Sequence, residues 1–471
     1  MAGSGKGAKC PYMKKVLIIA YDFPPARTSG VYRPLKFAKY LPDFGWQPII
    51  LTVKNPPKGS FDESLLAELG QNTPIYRAYS LEPKRFEKMI FDRAYGNQSS
   101  NGSSVSPAPK NGGRHEPVRF SARALLKRLV LSPLSHMTHS RMYVPDERIG
   151  WVPFAVKTGL HAIRQESVDL IFSTSPPETN HLVGGWLARL TKKPWVVDFR
   201  DPWTDNFIRD SSTPRRQFRE RKMEEKVLTR ASLIVNVGSR FSGLSQESFP
   251  KIPVTKHEVI TNGYDESDYC AHNAEEIYHD SKKEYLNIVN IGTLYDNSGF
   301  EQFLKALEAL LKDKRYHQKL RVTFIGDLLP MWKHALSREP FASHVELVGF
   351  KPHKETVRAM MAADLLLLMP SGGGEGTSDK IIPGKLFEFL RSGRPILLVG
   401  WPGETADIIV ESGSGTFAAS DNIDGIVEAL RQYLRKKESG ELAVSANWEY
   451  IKQYDRKYLT GKLVKCFERL V

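Results

Sequence analysis

Short runs of β-branched and leucine residues, each leading into a helical stretch, recur along this chain in two consecutive series, and no other feature limits its possible folds as strongly. The first series has apolar runs at 14–21 (KKVLIIAY), 48–53, 169–175, 195–198, 232–237 and 257–261. The second opens at 285–292 (YLNIVNIG), passes through a helical stretch at 300–312, and continues with runs at 321–326, 345–350, 363–369 and 395–399. Strands alternating with helices predict parallel sheets covered on both faces, because a parallel connection needs a crossover long enough to hold a helix. The pattern therefore predicts an α/β chain of two doubly wound domains, with the polar stretch 265–283 between them as the hinge.

The 471 residues leave room for this, at about 150 residues per domain. Hydrophobic residues make up 41% and charged ones 25%, which excludes a mainly disordered, collagen-like or coiled-coil chain. The apolar runs at 365–369 and 396–399 fall far short of the roughly 18 residues of a membrane-spanning helix. Three cysteines, Cys10, Cys270 and Cys466, lie far apart without CxxC spacing. They support neither a disulfide framework nor a thiolate zinc site, and a reducing, cytoplasmic compartment is expected. Residues 1–12 have no apolar core and read as a disordered leader, not a secretion signal.

Net charge is +14. Its distribution matters more than its size. The stretch 97–114 (NQSSNGSSVSPAPKNGGR) is too polar to order itself and reads as an exposed, disordered insertion. After it, 118–144 carries Arg119, Arg123, Lys127, Arg128 and Arg141 with no acidic residue, interleaved with leucines: a basic amphipathic segment suited to an anionic membrane surface. An interior helix with solvated arginines is the plain alternative. No nucleic-acid-binding motif is found, so nucleic acid is not expected as a partner.

Doubly wound sheets hold ligands outside the carboxyl ends of their strands, so the loops that follow strands carry the functional argument. Gly3 to Gly7 (GSGKG) follows no strand and is not a phosphate loop. The loop 23–30 (FPPARTSG) delivers the first strand to a helix N-terminus, where backbone N–H groups favour an anion and Gly30 lets a phosphate come close. No GxGxxG accompanies it, so no nicotinamide or flavin fingerprint is present. The loop 173–179 (STSPPET) turns Glu178 and His181 toward the cleft, and 198–203 (DFRDPW) adds Asp198, Arg200 and Asp201 to the same rim. Asp198 and Arg200 flank Phe199 and should share one face of the strand, as acid–base groups or as an internal ion pair. In the second half, GGGEG at 372–376 precedes KIIPGKLFE at 380–388. Lys385 with the helix N-terminus suits a diphosphate, and Glu388 one turn later suits a ribose diol.

Taken in order, KKVLIIAYDFPP, SPPETNHLVG, VVDFRDPW, VITNGYD at 259–265, IGTLYDNSG at 291–299, VTFIGD at 322–327, VELVGF at 345–350, AADLLLLMPS at 362–371 and KLFEFLRSGRPIL at 385–397 span nearly the whole chain. Together they resemble the GT-B glycosyltransferases, specifically retaining family-4-like enzymes of a bacterial and archaeal sugar transferase subgroup. The resemblance implies two Rossmann-like domains facing across a cleft: an acceptor-side domain over 13–265, a donor domain over 284–445, and helices over 446–471 returning to the first domain. Asn262 and Gly263 would begin the crossover.

The activity so implied is transfer of a sugar from a nucleotide-diphosphate sugar to a glycan or lipid-linked acceptor, in cell-surface polysaccharide synthesis. Retention of configuration, no metal, no further cofactor and no dedicated protein nucleophile are expected. Donor contacts are implied for Gly30, Gly292, Phe350, Lys351, Gly384, Lys385, Leu386 and Glu388, with Glu178, His181, Asp198 and Asp201 on the acceptor side. The chain departs from the family pattern twice. Lys380 stands eight residues before Glu388, where the family has its first glutamate, and Glu375 is the substitute in reach. Asp296, Asn297 and Ser298 offer no base for the diphosphate, which leaves Lys385. A nucleotide-sugar 2-epimerase-type isomerase on the same fold, and a non-catalytic scaffold binding nucleotide sugar or membrane, are the alternatives.

Overall fold

The computed structural model describes residues 13–56, 61–82, 143–206, 213–270, 284–294, 299–370, 380 and 382–471. They form two parallel sheets. The first contains β1 (Lys14–Ile19), β2 (Trp46–Val53), β3 (Ile75–Ala78), β4 (Leu170–Ser175), β5 (Trp195–Phe199), β6 (Leu233–Asn236) and β7 (His257–Val259), in the order β3-β2-β1-β4-β5-β6-β7. The second contains β8 (Leu286–Ile291), β9 (Leu320–Ile325), β10 (Val345–Gly349), β11 (Leu365–Leu368), β12 (Ile396–Gly400) and β13 (Gly415–Ala419), in the order β10-β9-β8-β11-β12-β13.

Central strands are buried on both faces, as parallel sheets require. Every residue of β4 and of β11 is buried. Along β1 the side chains alternate: Leu17 and Ile19 join a core with helices Val152–Glu166 and Thr179–Thr191, while Val16 and Ile18 join the opposite core with helices Tyr32–Tyr40 and Arg456–Glu468. Each such side chain contributes roughly 1.5–3 kcal/mol on burial. The strand order reverses between β1 and β4, and again between β8 and β11. These are the topological switch points at which such sheets open a crevice.

Two strands were not predicted from the sequence. β3 buries only Ala78 and β13 only Ala418. As edge strands they need little apolar content, so neither carries the pattern that marks the centre of a sheet. The predicted strand at 257–261 stops at Val259. The carbonyls of Ile260 and Thr261 instead accept hydrogen bonds from Arg33, at 2.7 and 2.6 Å.

The chain crosses between domains twice, and the two crossings run side by side. The Tyr264 amide donates to the Tyr454 carbonyl at 3.1 Å, and the Arg456 amide donates to the Tyr264 carbonyl at 2.8 Å. A Cβ on Gly263 would lie 2.1 Å from the Tyr454 carbonyl oxygen, so only glycine fits. Beyond this point Asp455 caps helix Arg456–Glu468. That helix buries Leu459, Leu463, Val464 and Phe467 against the first sheet, with Phe467 5.2 Å from the Trp46 ring.

No helix among the described residues is long and apolar enough to cross a membrane. The insertion at 97–114 and residues 118–142 of the basic segment lie outside the described residues.

Candidate active site

Loops at the carboxyl ends of the two sheets face one another, and the polar groups of the first rim are held by one another. Arg200, expected to share a face with Asp198, instead donates to the carbonyls of Ser175 (2.9 Å), Gly30 (2.5 Å) and Pro176. It thereby ties the loop after β1 to the loop after β4. The space beside Gly30, read from the sequence as room for a phosphate, is filled by that guanidinium, 2.7 Å from where a Cβ would sit.

Asp198 is fully buried and pairs with Arg33, whose Nη2 and Nε lie 2.7 and 3.0 Å from its two oxygens. Thr174 Oγ1 donates to it at 2.7 Å as well. Sequence spacing alone does not reveal this pair, because its partners lie 165 residues apart. With its oxygens so occupied, Asp198 serves as a structural tie, not as the acceptor-side acid or base expected from the sequence.

His181 also lies below the rim. It has no solvent exposure, its Nδ1 sits 2.8 Å from Ser173 Oγ, and Trp195 Nε1 donates to that same oxygen at 2.9 Å. Burial pushes the imidazole down to about 3, so the ring is neutral at physiological pH. Glu178 is buried at the N-terminus of helix Thr179–Thr191, and Asp201 is half-buried beside Arg200.

A residue that the sequence reading passed over stands nearer the crevice. Asp22 follows β1 at the switch point between β1 and β4, half-buried, with no hydrogen bond or ion pair among the described residues. Burial raises its pKa, against the pull of Arg148 and Arg200.

The second rim is differently made. Gly292 closes β8 at φ +109° and Gly326 closes β9 at φ +135°. A Cβ on Gly326 would lie 2.5 Å from the Gly292 carbonyl oxygen. Beside them Lys385 Nζ donates to the Ile291 carbonyl at 2.9 Å and has no carboxylate partner among the described residues. Burial pushes this ammonium down to about 8. A half-buried ammonium without a carboxylate partner among the described residues, at the end of a central strand and the start of a helix, has the chemistry to accept an anion.

One turn on, the Glu388 carboxylate also makes no hydrogen bond among the described residues. Burial raises its pKa, with His353 and Arg456 acting in the opposite direction. Gly384 has open space where its side chain would be. Leu386, by contrast, is fully buried in the core, where the alternation of helix faces puts it, and so lines no site. Lys380 has no partner among the described residues, and Glu375 and residues 295–298 lie outside them.

Contacts between the domains frame the cleft. Arg27, from the loop after β1, stacks 3.8 Å from the centre of the Phe350 ring, which is 65% exposed. Lys351 pairs with Glu355 at 3.1 Å. Tyr32 packs on His353, and His353 Nε2 lies 3.2 Å from Asp268. At the other side Glu404 accepts from the Ser239 amide (2.8 Å), the Ser239 hydroxyl (2.8 Å) and the Arg240 amide (3.1 Å), capping helix Ser239–Ser248 from the opposite domain.

Residues 274–447 match the family described as Glycosyl transferases group 1. The amylovoran biosynthesis glycosyltransferase AmsK of Erwinia amylovora is 25% identical over 196 residues, 41% of this chain. That alignment takes in 46% of the relative, so the chain spans about half the length of the curated protein it matches. Among solved structures, sucrose-phosphate synthase from Thermosynechococcus elongatus superposes with a TM-score of 0.64 at 11% identity, over 97% of this chain and 99% of that one. WaaG, a glycosyltransferase involved in lipopolysaccharide biosynthesis, superposes with a TM-score of 0.55 at 13% identity, over 96% and 99%. The frame is that of the GT-B fold, and the group 1 match falls on its second domain.

Proposed function

Taking a GT-B frame with a group 1 glycosyltransferase second domain as the premise, we propose that this chain transfers a sugar from a nucleotide-diphosphate sugar to a glycan or lipid-linked acceptor in surface polysaccharide synthesis. One observation carries the reading: on a single helical turn, Lys385 and Glu388 present a half-buried ammonium and a half-buried carboxylate, neither of them in an ion pair among the described residues. A nucleoside diphosphate supplies what each lacks, phosphate oxygens for Lys385 and ribose hydroxyls for Glu388. Exposed Phe350 stands at the end of β10, where a base can stack. The polysaccharide setting is supported by the names of AmsK and WaaG.

The reaction read from this arrangement retains configuration. The bond from the anomeric carbon to the diphosphate oxygen breaks, and its electron pair leaves with the diphosphate. The acceptor oxygen then bonds to the same face of that carbon, and its proton passes to a departing phosphate oxygen. Charge grows on the diphosphate as the bond breaks, so Lys385 stabilises the transition state more than the bound donor. Asp22, Glu178 and Asp201 orient the acceptor. No metal is needed, and a chelator such as EDTA should leave the transfer rate unchanged. The chain works at the cytoplasmic face of a membrane, held there by the basic segment 118–144.

Binding of UDP, GDP, ADP and dTDP to the full chain and to Glu388→Ala and Lys385→Met, followed by thermal shift, tests the donor site. One nucleotide should raise the melting temperature of the wild type by mass action, and both variants should lose that shift. A wild type that responds to none of the four, or variants that respond as it does, would overturn the reading. Product analysis without acceptor separates transfer from isomerisation of the donor.

A further inference from the structure

Helices Thr179–Thr191 and Pro214–Arg230 lie side by side over one face of the first sheet, where Val183 and Leu187 of the one and Val227 and Leu228 of the other join the same core. The outward residues take no part in that core. On the first helix Trp186, Arg189 and Leu190 stand three and four residues apart and so share one side. Trp186 is 49% exposed and Leu190 54%, and the Arg189 guanidinium lies over the Trp186 ring at 5.7 Å. No acidic residue occurs between Thr179 and Val197.

The second helix continues this surface. Phe218, 65% exposed, stands among Arg215, Arg219, Lys222 and Lys226, at spacings that put all five on the side away from the sheet. The acidic residues of this helix are directed elsewhere or taken: Glu220 and Glu224 are buried, and Glu225 pairs with Lys222 at 2.9 Å. Arg215, Arg219 and Lys226 have no carboxylate partner among the described residues.

Cations around protruding Trp, Leu and Phe side chains are complementary to an anionic bilayer. Guanidinium and ammonium groups meet the headgroup phosphates, while the apolar side chains enter the layer beneath them. Nucleic acid would satisfy the cations and the rings but would leave Leu190 nothing to enter. The course of the chain agrees. Arg216, in the first turn of the second helix, donates to the carbonyls of Tyr143 and Pro145, both at 3.1 Å, so the basic segment 118–144 ends against this helix.

We infer that the outer face of these two helices is a docking surface for an anionic phospholipid bilayer, in which Trp186, Leu190 and Phe218 insert while Arg189, Arg215, Arg219 and Lys226 hold the headgroups. The inference rests on the membrane reading above, to which it adds a folded face, and is independent of the donor site. Co-sedimentation of the full chain with vesicles of phosphatidylcholine, alone or with about 30% phosphatidylglycerol, tests it.

The wild type should bind the anionic vesicles at least about tenfold more tightly than the neutral ones and lose that preference at high salt. Changing Trp186, Leu190 and Phe218 together to Ser should weaken binding to the anionic vesicles by about tenfold or more, and so should changing Arg215, Arg219 and Lys226 together to Ser. Either triple variant binding as the wild type does would overturn the inference and leave the membrane contact to segment 118–144. If a triple variant fails to fold, quenching of tryptophan fluorescence by brominated phosphatidylcholine in the anionic vesicles serves: Trp186→Phe should remove most of it, and undiminished quenching would overturn the inference. A wild type that binds neither vesicle, or that prefers a single-stranded oligonucleotide to both, overturns the inference and the membrane reading together, with the nucleotide thermal shift unaffected.

Discussion

The two rims of the cleft are built from similar residues and used differently. On the first rim Arg33 holds Asp198, Arg200 holds three carbonyls, and His181 is enclosed. On the second, Lys385 and Glu388 stand without opposite charges. Buried polar groups are normally satisfied, so a rim whose groups satisfy one another is a scaffold, and a rim whose groups do not is a receptor. The difference teaches that the most conspicuous acidic and basic motif in the sequence, DFRDPW, is mainly architecture. In the proposed reading the less conspicuous KLFE turn carries the chemistry.

Breaking the first rim should produce the largest effect. Arg33→Leu leaves Asp198 buried without its partner and should destabilise the chain by about 3–5 kcal/mol, read by chemical denaturation. A loss under about 1 kcal/mol would mean that the first rim is no scaffold. On the second rim the signs should reverse. Lys385→Met should slow transfer by about 10²–10³-fold with no fall in melting temperature, since it removes a half-buried cation that has no ion-pair partner among the described residues. A variant that melts lower and still transfers would put Lys385 in the scaffold class.

A smaller effect should appear with pH. The Lys385 ammonium is held down to about 8, below its ordinary value, so it is charged below that pH and loses its proton as pH rises through it. Affinity for a nucleoside diphosphate should therefore fall several-fold between about pH 7 and 9, while Lys385→Arg flattens the profile because arginine stays charged. A wild-type profile without this fall would separate Lys385 from the phosphates. The smallest effect is expected at the domain contact. Glu404→Ala removes a cap made across the cleft and should cost about 1 kcal/mol. It should also increase the radius of gyration by small-angle scattering. An unchanged radius would show that this contact does not hold the cleft closed.

The fold was legible in the sequence wherever burial on both faces imposes an apolar run, as in β1, β4 and β11. It was not legible at the edges, where β3 and β13 bury one residue each. The same distinction governs the site. Lys385 and Glu388 lie three residues apart on one helix, so spacing alone brings them to one turn. Arg33 and Asp198 meet only because the chain folds back on itself, and nothing local in a single sequence encodes such a meeting. Asp22 was passed over because a lone aspartate in a proline-rich loop looks like any turn residue until the order of strands puts it at a switch point.

The helix Arg456–Glu468 closes one face of the first sheet, although the residues of that sheet are made hundreds of positions earlier. On the ribosome, then, the domain that begins first must finish last. Leu17 and Ile19 can bury as soon as helices Val152–Glu166 and Thr179–Thr191 emerge, but the face bearing Val16, Ile18 and Trp46 is covered only in part, by helix Tyr32–Tyr40, until the second domain has been synthesised. During that interval the growing chain exposes an apolar strip that helix Arg456–Glu468 is shaped to cover.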